Sequence, residues 1–170
     1  MREGDWARPT PCDGWDAHQL LDHVSDTLTG LLGSMAGGDY RASKHGEAGR
    51  LPRPAESVER WKTLAAEGRE AASGIDPDSE LSGPMGSGPA EAALRIPTHD
   101  LTVHAWDLAA SAVRDLELPE PLRADLDDLV HGMPVEMVRS PGLFGPEVEA
   151  PAAAGPTARL MAFLGRRRPA

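Results

Sequence analysis

Cysteine is nearly absent: one residue, Cys12, stands in 170, so no disulfide can close within the chain. Aromatic side chains make up only 4%, and no run alternates Val, Ile, Thr and aromatics in the manner of a strand, which excludes a large sheet. No apolar run reaches the roughly 20 residues of a spanning helix, and no apolar signal segment stands out. The expected compartment is therefore the cytoplasm. Positive charge is also scarce, with 17 Lys and Arg against 27 Asp and Glu and a formal balance of −10. Such a surface repels phosphate backbones and anionic lipid, and so excludes nucleic acid and membranes as principal partners. The cluster Arg166-Arg167-Arg168 is the local exception, and like charges at a terminus read as a solvated end.

Proline and glycine are plentiful, 16 and 18 residues, beside 40% hydrophobic residues. Length and composition suit one domain of helices separated by Pro/Gly-rich connections. Residues 1–14 read as an extended lead-in. Asp16 and Gln19 then form a capping-box pattern ahead of Leu21, Val24, Leu28, Leu31, Leu32 and Met35, predicting a helix over 16–36 that Gly37-Gly38 stops. Residues 37–55 and 74–89 lack periodicity and read as loops. Between them a helix runs from Ala55 or Glu56 to Ser73, with Val58, Trp61, Leu64, Ala65 and Ala72 inward. A third is predicted from Ala90 to Val113, kinked or restarted at Pro97. A fourth spans 120–138 with Pro134 disturbing its last turns. The stretch from Pro141 to Pro156 is irregular, and Thr157–Leu164 makes a short closing helix.

The chemistry concentrates in the third helix. At about 100° per residue, Asp100, His104, Asp107 and Ser111 share one stripe, and Leu101, Ala105, Leu108 and Ala112 form an apolar stripe beside it that is expected to be buried. His23 lies on the first helix, at the polar edge of its apolar face with Leu20 and Thr27. Two imidazoles and a carboxylate suit zinc or another first-row divalent ion and leave positions open for water or substrate. The competing reading is that D-x-x-x-H arose by chance and that His23 is a core-edge residue. Asp107 reads either as an acceptor that orients His104 or contacts substrate, or as a solvated helix carboxylate. Trp15 and Trp106 read as packing residues, and His18, His45, His99 and His131 as non-ligands. Cys12 reads as a small buried hydrophobe rather than a catalytic thiol, since no base lies near it in sequence.

The segments Thr10-Pro11-Cys12-Asp13-Gly14-Trp15, Leu20-Leu21-Asp22-His23-Val24, Asp100 through Ala109, Gly142-Leu143-Phe144-Gly145-Pro146, Arg159-Leu160 and Leu164-Gly165-Arg166 resemble the mycothiol-dependent maleylpyruvate isomerase family. That family lies in the DinB/YfiT-like superfamily, and the resemblance covers nearly the whole chain in order. It implies an all-α, four-helix bundle with a divalent metal, zinc or nickel among the candidates, bound by residues matching His23, Asp100 and His104. It also implies use of a low-molecular-weight thiol, mycothiol in actinobacteria, for isomerisation, conjugation or S-transfer of a small electrophile. Relatives carry a helix before the TPC segment, whereas nine residues precede Thr10 here. The expectation is a bundle completed by the C-terminal segment or by a second copy in a homodimer, unless the chain starts further upstream. Residues 1–140 would form the metal-binding bundle and 141–170 an extension packed on the same domain. The rival reading is a non-catalytic binding module, or a tailoring protein that no longer uses a thiol.

Overall fold

The computed structural model describes residues 3–44, 51–140 and 142–169. His45 and the middle of the loop expected over 37–55 lie outside the described residues. After one 3-10 turn, Glu3–Asp5, the first long helix is α1, Ala17–Met35. Its start is fixed by reciprocal bonds: Gln19 N donates to Asp16 Oδ1 at 2.8 Å, and Asp16 N donates to Gln19 Oε1 at 3.0 Å. These satisfy two backbone donors that a helix start otherwise leaves unpaired. Past its last turn Gly37 takes φ +85°, the left-handed conformation that ends a helix without a Cβ penalty.

Helix α1 is enclosed on most sides. Leu20, Leu21, Val24, Leu28 and Leu31 are buried, together with His18, Asp22, Asp26 and Thr27. A one-turn helix, α2 (Tyr40–Ser43), lies within the stretch read as a loop, capped by Asp39, whose Oδ1 accepts from Ala42 N at 2.8 Å. Helix α3, Pro54–Ser73, packs along α1, and its Ser57 is fully buried. Ser57 Oγ donates to Asp22 Oδ1 at 2.6 Å and lies 2.8 Å from His18 Nε2. His18 therefore serves the α1–α3 seam. The expected inner face of α3 is only half-buried and Ala72 is exposed, so buried polar bonds add to the apolar packing of Trp61, Leu64 and Ala65.

The loop expected over 74–89 contains a two-stranded antiparallel hairpin, β1 (Glu80–Gly83) and β2 (Gly86–Pro89). Strands of four residues each, Glu-Leu-Ser-Gly and Gly-Ser-Gly-Pro, are too short to show an alternation in sequence. Tertiary contacts hold them instead: Leu81 packs on Ala90 and Ala93, Tyr40 N donates to Ser82 Oγ at 3.0 Å, and Ser34 Oγ donates to Ser82 O.

Helix α4, Ala90–Ser111, runs unbroken through Pro97. The restart expected at Pro97 is absent, because Pro97 is buried and packing on both sides, from Ala90 and Ala93 to Val103 and Trp106, holds the helix through it. The apolar stripe was also misplaced: Ala105 is exposed and Leu101, Leu108 and Ala112 only half-buried. The core face of α4 is Val103, Trp106 and Ala110. These residues pack with Leu118, with Leu126 and Val130 of α5 (Glu120–Gly132), and with Leu160, Met161 and Leu164. Pro134 does end α5, and a single turn, α6 (Val135–Val138), follows. After an irregular stretch, α7 (Pro156–Phe163) places Leu160 and Met161 in the same core as α4 and α5.

Tyr40 supplies a pH prediction. Burial, then the nearby negative charge of Asp100, pushes its phenol from 10.0 up to about 12. A group whose pKa rises on folding stabilises fully below its unfolded value and loses that contribution as pH climbs through its folded one. Thermal unfolding monitored between pH 9 and 12 (about 10 being the unfolded phenol value) should show a falling midpoint from about pH 10 upward. In Tyr40→Phe that part of the fall should be missing.

Candidate metal centre and thiol cavity

Three elements converge on one cavity of about 980 Å³. Helix α1 brings His23, helix α4 brings Asp100 and His104, and the loop before α1 brings Thr10, Cys12 and Trp15. The opposite wall comes from the C-terminal third, including Arg139, Phe144 and Arg166.

The ligand atoms offered by His23, Asp100 and His104 lie within 4.8 Å of one another. His23 Nε2 is 3.2 Å from Asp100 Oδ2, and His104 Nε2 is 3.4 Å from Asp100 Oδ1. The other nitrogen of His104, Nδ1, is 2.9 Å from Asp107 Oδ2. A carboxylate can only accept, so Nδ1 carries a proton and donates it, which turns Nε2 toward the cluster. Thr27 Oγ1 donates to Asp100 Oδ2 at 2.9 Å and fixes the carboxylate from behind. Trp15 stands beside both imidazoles, its ring centroid 4.8 Å from that of His23 and 6.4 Å from that of His104.

The electrostatics favour a cation at this point. Burial alone would raise the Asp100 carboxyl, but hydrogen bonds from His104 and then His23 outweigh it and hold the group well below the usual carboxylate range. Burial likewise would lower His104, but hydrogen bonds to Asp100, Asp107 and Cys12 carry it well above the ordinary imidazole value. The same oxygens that hold a proton on His104 would attract a divalent ion in its place. Two imidazoles, one carboxylate and an acceptor behind His104 form a donor set that fits zinc or a similar ion.

Asp107 is not solvated. It is 0% exposed, and three groups reach its Oδ2: His104 Nδ1, Cys12 Sγ at 3.2 Å, and Arg166 Nε at 3.3 Å. Two expectations are corrected here. Cys12 lines the cavity half-buried, with its sulfur also 3.7 Å from His104 Nδ1, rather than lying buried as a small hydrophobe. The polar partner absent near it in sequence, the Asp107 carboxylate, comes from α4, 95 residues away. Arg166 is not part of a solvated tail: its side chain is 10% exposed and its guanidinium lies over the Phe144 ring, while Arg167 and Arg168 are exposed. No pattern near Arg166 in the sequence points to a partner on α4, since only the turn after α7 directs it there.

The remaining expectations divide. Trp106 is core, as read, but Trp15 is a wall of the cavity rather than plain packing. His99 is buried and faces α5, 2.6 Å from Asp125 Oδ2, and His131 stacks on Phe163 at 4.2 Å; neither joins the cluster. Thr27 was legible only in retrospect, as the residue one turn beyond His23 on the same face.

The fold and site define a helical bundle with two histidines and a carboxylate grouped closely enough at an interhelical seam to hold a metal ion, opening on a cavity walled by a C-terminal arginine. Residues 1–109 match the family model described as the mycothiol maleylpyruvate isomerase N-terminal domain, and the chain belongs to that family. It is 29% identical over 172 residues to an uncharacterized protein from each of two strains of Mycobacterium tuberculosis, an alignment covering 98% of this chain and 87% of the relative. Two crystal structures, of the mycothiol-dependent maleylpyruvate isomerase and of a histidine-to-alanine mutant of it, share the fold with a TM-score of 0.63 at 18% and 16% identity. The match covers 76% of this chain, which spans 60% of the length of those structures. Among the described residues no helix is long and apolar enough to cross a membrane.

Proposed function

We propose that this chain is a metal-dependent enzyme that uses a low-molecular-weight thiol of the mycothiol type to isomerise, conjugate or S-transfer a small electrophile. The observation that carries the reading is the convergence of His23, Asp100 and His104 at the wall of a cavity large enough for a thiol and a second small molecule. His23, Asp100 and His104 hold the ion, which when bound lowers the pKa of a thiol or water brought to it. Asp107 keeps His104 in the tautomer that presents Nε2, and Thr27 fixes the rotation of Asp100. Trp15 restricts the His23 ring and shields the cluster from bulk water. Arg166, and Arg139 on the same wall, present positive charge to an anionic substituent of the electrophile. The 141–170 segment is part of the same domain, since it supplies that wall. The cytoplasm, where small thiols stay reduced, is the compartment this chemistry needs.

Metal analysis of the purified, dialysed protein should find about one divalent ion per chain in the wild type and none in His104→Ala. Consumption of thiol with a model electrophile should require both the ion and His104. A wild-type protein that neither retains nor takes up a divalent ion would overturn the reading.

A further inference from the structure

Past Arg166 the chain lies along the cavity with one fastening. Gly165, Arg166, Arg167, Arg168 and Pro169 line the cavity in succession. The last backbone tie is Arg166 N to Met161 O at 2.9 Å, and residues 167–169 make no backbone–backbone hydrogen bond among the described residues. Pro169 has no donor to offer and biases Arg168 toward extended backbone. What secures the run is the Arg168 side chain. Its Nη2 donates to Asp115 Oδ1 at 2.7 Å, its Nη1 donates to Arg114 O at 3.2 Å, and its guanidinium lies 5.4 Å from the centroid of the Trp106 ring. The receiving turn is strained. Two residues past the end of α4, Val113 takes φ +55°, left-handed backbone that a β-branched side chain seldom adopts. That side chain is 78% exposed, so its own packing does not hold the turn. Arg114 N, donating to Ala109 O at 2.9 Å, and the grip of Arg168 hold it instead.

We propose that residues 166–169 form a strap over the cavity, latched by Arg168 on the turn after α4, and that small molecules reach the interior when this latch lets go. The root of the strap stays in place during opening. Arg166 is held to Asp107 by a pair whose side chains are 10% and 0% exposed, whereas Arg168 and Asp115 are 40% and 97% exposed. Water and salt therefore weaken the outer pair far more than the inner one. A cation over an aromatic ring adds a modest hold to an exposed ion pair. Such a fastening opens readily without unfolding the core that α4, α5 and α7 share. Release shifts residues 167–169 and leaves the Arg166 wall standing. The proposal rests on the geometry of the cavity, and not on the metal or on thiol chemistry.

The test uses the chain's one cysteine as a reporter of access, since Cys12 lines the same cavity and its sulfur shares Asp107 Oδ2 with Arg166 at the root of the strap. The whole chain is labelled with a small neutral reagent, N-ethylmaleimide, and with a bulky neutral one, N-(1-pyrenyl)maleimide, and intact mass follows each. The bulky-to-small rate ratio, divided by that of N-acetylcysteine, separates access from the reactivity of the thiol. At low ionic strength the corrected ratio of the wild type should lie well below unity. Arg168→Ala should raise it by about 3- to 10-fold and Asp115→Asn by about 2- to 5-fold. Sodium chloride at about 0.5 M should raise the wild-type ratio and leave that of Arg168→Ala where it was. Because Asp115 is 97% exposed, its exchange removes the latch without touching the core, so the outcome does not hang on Arg168→Ala folding. A wild-type ratio near unity, a wild-type ratio indifferent to salt, or an Asp115→Asn ratio equal to the wild type's would each overturn the strap. So would a Cys12 that neither reagent reaches in any form. None of these results depends on whether an ion binds at His23, Asp100 and His104.

Discussion

Asp107→Ala is expected to lower the unfolding free energy by about 3–5 kcal/mol, the usual cost of removing one partner from a buried charge pair. The carboxylate is 0% exposed and is the counter-charge of Arg166, whose side chain is 10% exposed. Truncation leaves a guanidinium out of water with no opposite charge. It also strips His104 Nδ1 and Cys12 Sγ of their shared acceptor. Asp107→Asn keeps the volume and one acceptor oxygen, so it should lose less stability but weaken metal binding by about 10- to 100-fold through misorientation of His104. Urea denaturation of metal-free protein isolates the first effect, and titration with a divalent ion measures the second. A loss below about 1 kcal/mol in Asp107→Ala would mean that the buried pair is energetically neutral here.

Gly165→Ala should be nearly as damaging, by about 2–5 kcal/mol. Gly165 holds φ +76°, and a Cβ there would come within 2.8 Å of the Gly145 carbonyl and of Pro146 O. Left-handed strain and a backbone collision therefore act together. Helix α7 ends on this residue with Arg166 N donating to Met161 O at 2.9 Å and Gly165 N to Ala162 O at 3.0 Å. The turn they form aims the next side chain, Arg166, at Asp107. Melting by circular dichroism reads the loss of stability. Wild-type stability would mean that the 145–146 backbone yields easily.

The helices were legible where local chemistry decides them. Asp16 with Gln19 marked the start of α1, Gly37 its end, and Pro134 the break after α5. At Pro97 the helix runs on without a restart, because packing on both flanks outweighs a local rule. The stripe through Ala105 misled because apolar spacing shows that a face exists, whereas the neighbours choose which face is enclosed. The two four-residue strands are held by contacts from α1, α2 and α4 that no window of sequence contains. Within the site, i, i+4 geometry put Asp100 and His104 on one side of α4, and the structure brings His23 against them. Cys12 and Arg166 were misjudged for one reason: each was assessed by its sequence neighbours, while its partner Asp107 is 95 residues from Cys12 and on another helix from Arg166's tail.

The His23–Asp100 contact joins residues 77 apart in the chain, and the Cys12–Asp107 contact joins residues 95 apart. Closing loops of that length costs entropy that only the assembled core repays. An acid-expanded globule that kept every helix but let α1 drift from α4 would look native by far-ultraviolet dichroism and yet possess no reactive centre at all. For this molecule, the closeness of α1 to α4 is a stricter gauge of nativeness than helicity.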